Sequence, residues 1–128
     1  MPTKPWVTVH RPDPAQEYLV LLSELPLRRW RDLGAFLCYT WRIQGQLRRT
    51  PGVLGYSLLA RIRKRQFWTL SVWEGEAALH QFVVENPHGH VMTALQGKMD
   101  QTHFMRWSMR GSEFPPRWQD ALARRDTA

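Results

Sequence analysis

Two histidines offer the most direct chemistry in this chain. They stand in Asn86-Pro87-His88-Gly89-His90, which reads as a helix start. Asn is a good N-cap because its side-chain oxygen accepts a free backbone N–H, and Pro suits the first helical position because it has no N–H to satisfy. A histidine in that first turn meets unpaired N–H groups, which favour a neutral imidazole or a nearby anion. A neutral imidazole beside a pocket serves as a general base or as a metal or haem ligand. His88 shares a stripe with Met92, Leu95 and Met99, at steps of four, three and four, so it is expected to point inward. His90 lies roughly 200° further round the helix and is expected to face solvent. The two rings therefore diverge. Glu85 points elsewhere if Asn86 is the cap, and no other carboxylate or Cys stands at ligand spacing, so no metal site is expected. His88 is the candidate catalytic residue. Its plainer reading is a hydrogen-bonded core histidine.

The chain has seven tryptophans, many for its length. Trp41, Trp68, Trp73 and Trp107 are candidate walls of a pocket for a flat aromatic or polyene ligand, with core and dimer packing as the competing reading. Ser57, Thr69 and Ser71 would supply hydroxyl contacts inside it, or simply satisfy the sheet surface. His103 would join them if its face of the last strand is the inner one; otherwise Arg106 and Phe104 would. There is no Gly-rich phosphate loop, no nucleophile elbow and no Cys-x-x-Cys pair, so flavin, nicotinamide and nucleotide sites have no support. The single cysteine, Cys38, cannot form an intrachain disulfide and is expected to be a buried, inert thiol.

These residues need elements to hold them. Residues 1–16, with four prolines, read as an extended arm in which Val7 and Val9 could add an edge strand. Residues 17–110 read as one domain. Glu17 to Leu25 is strand-like and ends at Pro26. Arg31 to Thr50 has helical spacing, with Leu33, Phe36, Leu37, Thr40, Ile43, Gln44 and Leu47 on one face, and Pro51-Gly52 stops it. Val53 to Arg61 and Phe67 to Trp73 are strands joined by the basic turn. Alternation in the second puts Phe67, Thr69, Ser71 and Trp73 on one side, and Trp68, Leu70 and Val72 on the other. Gly75 to Glu85 is a short helix with Ala78, Leu79, Phe82 and Val83 inward. The helix begun at Asn86 runs to about Met99, and Thr102 to Met109 alternates as a last strand. Residues 111–128 form an extension with a short helix after Pro115-Pro116. The βαββαβ order implies an α+β, ferredoxin-like fold: a four-stranded antiparallel sheet with both helices on one face. The other face also carries large apolar groups, so a second copy is expected to cover it, making a homodimer that closes into an α/β barrel.

Net charge is +7, and it is uneven. Residues 1–65 hold twelve Lys and Arg against four Asp and Glu, while residues 66–128 hold six against seven. The surplus is mostly Arg, in Arg28-Arg29-Trp30-Arg31, Arg48-Arg49 and Arg61-Ile62-Arg63-Lys64-Arg65. Such clusters would contact phosphates, but a solvated basic surface is the favoured reading, and nucleic acid is not the expected partner. No apolar run approaches the ~20 residues of a membrane span, and the N-terminus has no apolar signal segment. A cytoplasmic protein is the simplest reading.

Three patterns resemble a known superfamily. They are Leu70-Ser71-Val72-Trp73-Glu74, then Ala78-Leu79-His80-Gln81-Phe82-Val83, then His88 followed by Met92. Together with the strand order, they resemble the dimeric α/β-barrel proteins: antibiotic-biosynthesis monooxygenases, haem-degrading monooxygenases and spheroidene-monooxygenase-like proteins. The likeness is greatest to a bacterial family of unassigned activity within that group, and it covers about residues 17–110. It implies a ferredoxin-like dimer and a monooxygenase-type activity, without a cofactor, on an apolar aromatic or isoprenoid substrate. The haem-degrading members use a first-strand Asn, a helix Trp and a helix His. Here the first strand has no Asn, Phe82 stands near the Trp position, and Met92 lies nearer than His88 to the His position. Haem is therefore disfavoured, with ligation by His88 or His90 left open. The alternatives are a non-catalytic ligand- or haem-binding dimer, and a basic nucleic-acid-associated protein.

Overall fold

The computed structural model describes residues 3–84, 95, 97–99 and 102–127, and the side chains of these from Trp6 to Arg124. The elements are β1 (Thr3–Thr8), β2 (Glu17–Pro26), α1 (Leu33–Arg48), β3 (Val53–Arg61), β4 (Gln66–Trp73), α2 (Glu76–Val84), β5 (His103–Arg110) and α3 (Trp118–Thr127). Every strand pair is antiparallel, and the order across the sheet is β1-β3-β4-β2-β5. From β2 to β5 this is the expected ferredoxin-like arrangement. The sheet has five strands rather than four, because the N-terminal arm pairs with the open edge of β3 through Thr3–Leu59 and Thr8–Gly55. Pro5 sits in this edge strand beside the irregularity between Lys4 and Val7, where a missing N–H costs no central ladder bond.

Alternation decides the two faces. On β4, Phe67 and Trp73 pack toward α1 and α2, while Trp68, Leu70 and Val72 pack the other way. The helix side is built from Leu47, Leu79 and Phe82 against Val53, Tyr56 and Trp73. A second group, Phe36 with Leu27, Phe67 and Leu95, continues it. Trp73 and Phe82 lie ring to ring at 5.0 Å. Gln46 on α1 donates from Nε2 to the Phe82 carbonyl of α2 at 3.2 Å, which ties the helices together. Gly52 makes the close approach of α2 possible, since a Cβ there would lie 2.3 Å from that of Ala78.

Three expectations need correction. First, the sheet face away from α1 and α2 is covered by the chain's own C-terminal segment. Ala121 is buried against it with Trp118 and Leu122. Trp118 donates from Nε1 to Ser57 Oγ at 2.9 Å, Trp6 meets Phe114 edge to face at 5.4 Å, and the Arg124 guanidinium lies 5.0 Å from the Trp107 ring. The apolar surface that pointed to a second copy is thus already removed from water within one chain. Second, Leu37 and Cys38 are exposed on the outer side of α1, because the inward stripe of a 3.6-residue helix is centred on Phe36, Ile43 and Leu47. Third, the helical stretch does not extend to Met99: Gly97 takes φ +81, and Met99 forms an antiparallel bridge to Leu27. The start of that helix, with His88 and His90, lies outside the described residues. No described helix is long and apolar enough to cross a membrane.

Candidate functional site

The sheet and the two helices do not close on each other completely. They leave a cavity of about 470 Å³ roofed by Phe36, Ile43 and Leu47 of α1 and by Leu79, Phe82 and Val83 of α2. Its floor is two rows of side chains set by strand register. One row runs Arg106–Leu21–Ser71–Tyr56, and the next runs Phe104–Ser23–Thr69–Leu58. Four hydroxyls, from Ser23, Tyr56, Thr69 and Ser71, therefore gather at the centre of the floor, between apolar side chains and Arg106 at its edge.

Two of these hydroxyls are oriented by neighbours. Trp73 donates from Nε1 to Ser71 Oγ at 2.8 Å. An oxygen that accepts this bond keeps its own proton for another acceptor, so Ser71 is poised to donate. Arg48 donates from Nε to the Tyr56 oxygen at 3.1 Å. The Thr40 hydroxyl, in contrast, donates back to the Phe36 carbonyl at 2.9 Å, a local helix bond that removes its proton from the cavity. At the mouth, Arg106 of β5 pairs with Glu76 of α2 at 2.5 Å. His80, one turn after Glu76, also lines the cavity. The pair is exposed on both sides, so it contributes about 1 kcal/mol or less to stability and can open readily.

Of the residues expected to form the pocket, Trp73, Thr69 and Ser71 come together here. Trp41 does not. It is 74% exposed on the outer face of α1, a third of a turn beyond the inward-facing Thr40. Trp107 and His103 do not either. They lie on the opposite face of β5, where Trp107 packs under Arg124 and His103 is exposed. Arg106 and Phe104 occupy the inner positions instead. His88 and His90 fall outside the described residues. Ser57 points away and accepts the Trp118 bond. Sequence reasoning missed Ser23, Tyr56 and Gln44, and it placed His80 only at the edge of the apolar face. Ser23 and Tyr56 become neighbours of Thr69 and Ser71 through cross-strand register, and nothing local to either residue marks that. Among the described residues, no group of three or more His, Cys, Asp and Glu could hold a metal ion.

Solved structures carry the same fold. SnoaB of Streptomyces nogalater, a cofactor-independent oxygenase, aligns with a TM-score of 0.62 at 17% identity, over 80% of this chain and 100% of its own. An antibiotic biosynthesis monooxygenase aligns at 0.61 with 15% identity, over 71% and 95%. A candidate monooxygenase from Lactobacillus acidophilus NCFM aligns at 0.68 with 12% identity, covering 83% of this chain but only 49% of that longer one. No protein-family profile and no curated protein sequence matches. The superfamily likeness read from the sequence is thus borne out at the level of the fold.

Proposed function

We propose that the chain is an oxygenase that uses no bound cofactor and takes an apolar aromatic or isoprenoid substrate between the sheet and the two helices. The observation that carries this reading is the cavity, lined mostly by apolar side chains, with a hydroxyl patch on its floor and Arg106, Glu76 and His80 at its mouth. Its volume of about 470 Å³ suits a small molecule of a few rings. The likeness in fold to SnoaB supports the reaction class.

The chemistry asked of the protein is modest. Dioxygen is a ground-state triplet and reacts slowly with closed-shell molecules. A substrate anion removes that barrier by giving up one electron, and the resulting radical pair then joins at carbon. The protein must take one proton and hold the substrate where its charge is delocalised. Ser71, with its proton free to donate, and the adjacent Thr69, Ser23 and Tyr56 hydroxyls would hold the substrate oxygen. Trp73 would form the apolar end. The base is assigned to His88 on the sequence pattern Asn86-Pro87-His88, and His80 at the cavity mouth is the second candidate. The ligand-binding alternative uses the same cavity without turnover.

Oxygen uptake with an electron-rich phenol tests the proposal. Uptake by the wild type, a lower kcat in His88→Ala and a higher KM in Ser71→Ala are expected. Binding of the phenol with no oxygen uptake would leave a non-catalytic binder, and unchanged kcat in His88→Ala would remove the base assignment. A Soret band on adding haem, lost in His88→Ala, would favour the haem-binding alternative.

A further inference from the structure

One end of the molecule concentrates charge that the cavity does not use. Two basic clusters, thirty residues apart in sequence, meet there. Leu27 N–H donates to the Arg65 carbonyl at 2.7 Å, and Arg65 Nε returns a bond to the Leu27 carbonyl at 3.2 Å. This locks the loop after β2 against the 3-10 turn between β3 and β4, Ile62–Lys64. Arg28 N–H then donates to the Lys98 carbonyl at 2.9 Å and draws a third segment in. Arg28, Arg29, Arg31, Arg63 and Lys64 are all exposed, and none makes an ion pair among the described residues. Between them stand two exposed apolar side chains, Trp30 at 49% and Ile62 at 41%. Both flank Arg65, whose guanidinium lies 5.4 Å from the Trp30 ring and whose N–H bonds the Ile62 carbonyl.

We propose that this basic pole docks the protein on an anionic lipid surface, with Trp30 and Ile62 entering the headgroup region and the arginines pairing with lipid phosphates. Several observations favour a membrane over a nucleic acid. The pole is built from loops and 3-10 turns rather than from a sheet face. Both sheet faces, the platforms on which bases would stack, are covered by helices. One face of Trp30 is already taken by Arg65, and Ile62 has no stacking role, whereas both gain by leaving water at an interface. Clusters of exposed Lys and Arg around such anchors bind anionic bilayers, each cation near the surface adding about 1 kcal/mol, or roughly fivefold. The proposal does not rest on the activity proposed for the cavity.

Co-sedimentation with vesicles tests it, comparing phosphatidylcholine alone with phosphatidylcholine containing phosphatidylglycerol. The full chain is expected to bind only the anionic vesicles and to release at high salt. The double variant Arg63→Glu, Lys64→Glu, on an exposed turn, is expected to lose at least about tenfold in binding with an unchanged circular dichroism spectrum and Tm. Trp30→Ala is expected to lose a few-fold while keeping the salt dependence. Equal binding to neutral vesicles, or no loss in the double variant, would overturn the proposal. So would failure to bind vesicles together with salt-sensitive binding to an oligonucleotide that the double variant abolishes; that result would assign the pole to nucleic acid.

Discussion

Thr69→Phe puts the cavity itself to the test. Thr69 lies at the centre of the floor, between Ser23 and Leu58, and faces α1. A void of 470 Å³ is far too large to be a packing defect. The cavity has a mouth beside Arg106 and Glu76 and a hydroxyl patch on its floor, so water can enter and be held. The space is therefore filled by water or by a ligand, and an apolar ring placed in it displaces something mobile rather than colliding with something fixed. A phenyl ring that hides roughly 100 Å² of apolar surface contributes about 2.5 kcal/mol, less the lost hydration of one hydroxyl. The expected outcome is a gain of about 1 to 2 kcal/mol in urea unfolding, with at least a tenfold loss of phenol binding measured by calorimetry. In a closed, well-packed interior the same substitution would overpack and cost about 1 to 3 kcal/mol. The sign of the stability change thus decides the matter. Destabilisation with phenol binding unchanged would refute both the cavity and the functional reading built on it.

Three further outcomes are expected. Trp118→Ala removes the indole that covers the second sheet face and its bond to Ser57; it should cost about 3 kcal/mol in thermal unfolding, and deleting residues 111–128 should produce self-association seen as a doubled or larger mass in light scattering. A deletion variant that stays monomeric and equally stable would show that α3 is not a cover. Gly52→Ala should destabilise by about 1 to 3 kcal/mol, because the new methyl meets Ala78 at 2.3 Å, and an unchanged urea midpoint would contradict this packing of α2. Cys38, exposed on α1, should react with a thiol reagent in the native protein as fast as a free peptide thiol, whereas protection until unfolding would place it in an interface.

Much of the fold was legible because its periods are local. The alternation of Phe67 to Trp73 sorted that strand into its two faces, and Pro51-Gly52 marked the end of α1 where it is found. Thr69, Ser71 and Trp73 were reachable as pocket residues for the same reason. Trp41 and Trp107 were misplaced because residue type was allowed to outweigh periodicity. An aromatic side chain suggests a pocket, but its position on the helix or strand decides which way it points. The cover of the second sheet face was misassigned, because such a face can be covered from either source and the extension at 111–128 was treated as an appendage rather than as a layer.

By itself the sequence determined the order and kind of the elements, the basic half of the chain and the inner side of β4. These follow from contacts between residues a few positions apart. Only the tertiary structure decided what crosses the strands: that Ser23, Tyr56, Thr69 and Ser71 form one hydroxyl patch, and that Arg28–Arg31 and Arg61–Arg65 share one pole. It also decided that α3 closes the second face. Register and packing bring together residues tens of positions apart, and no local period along the chain carries that information.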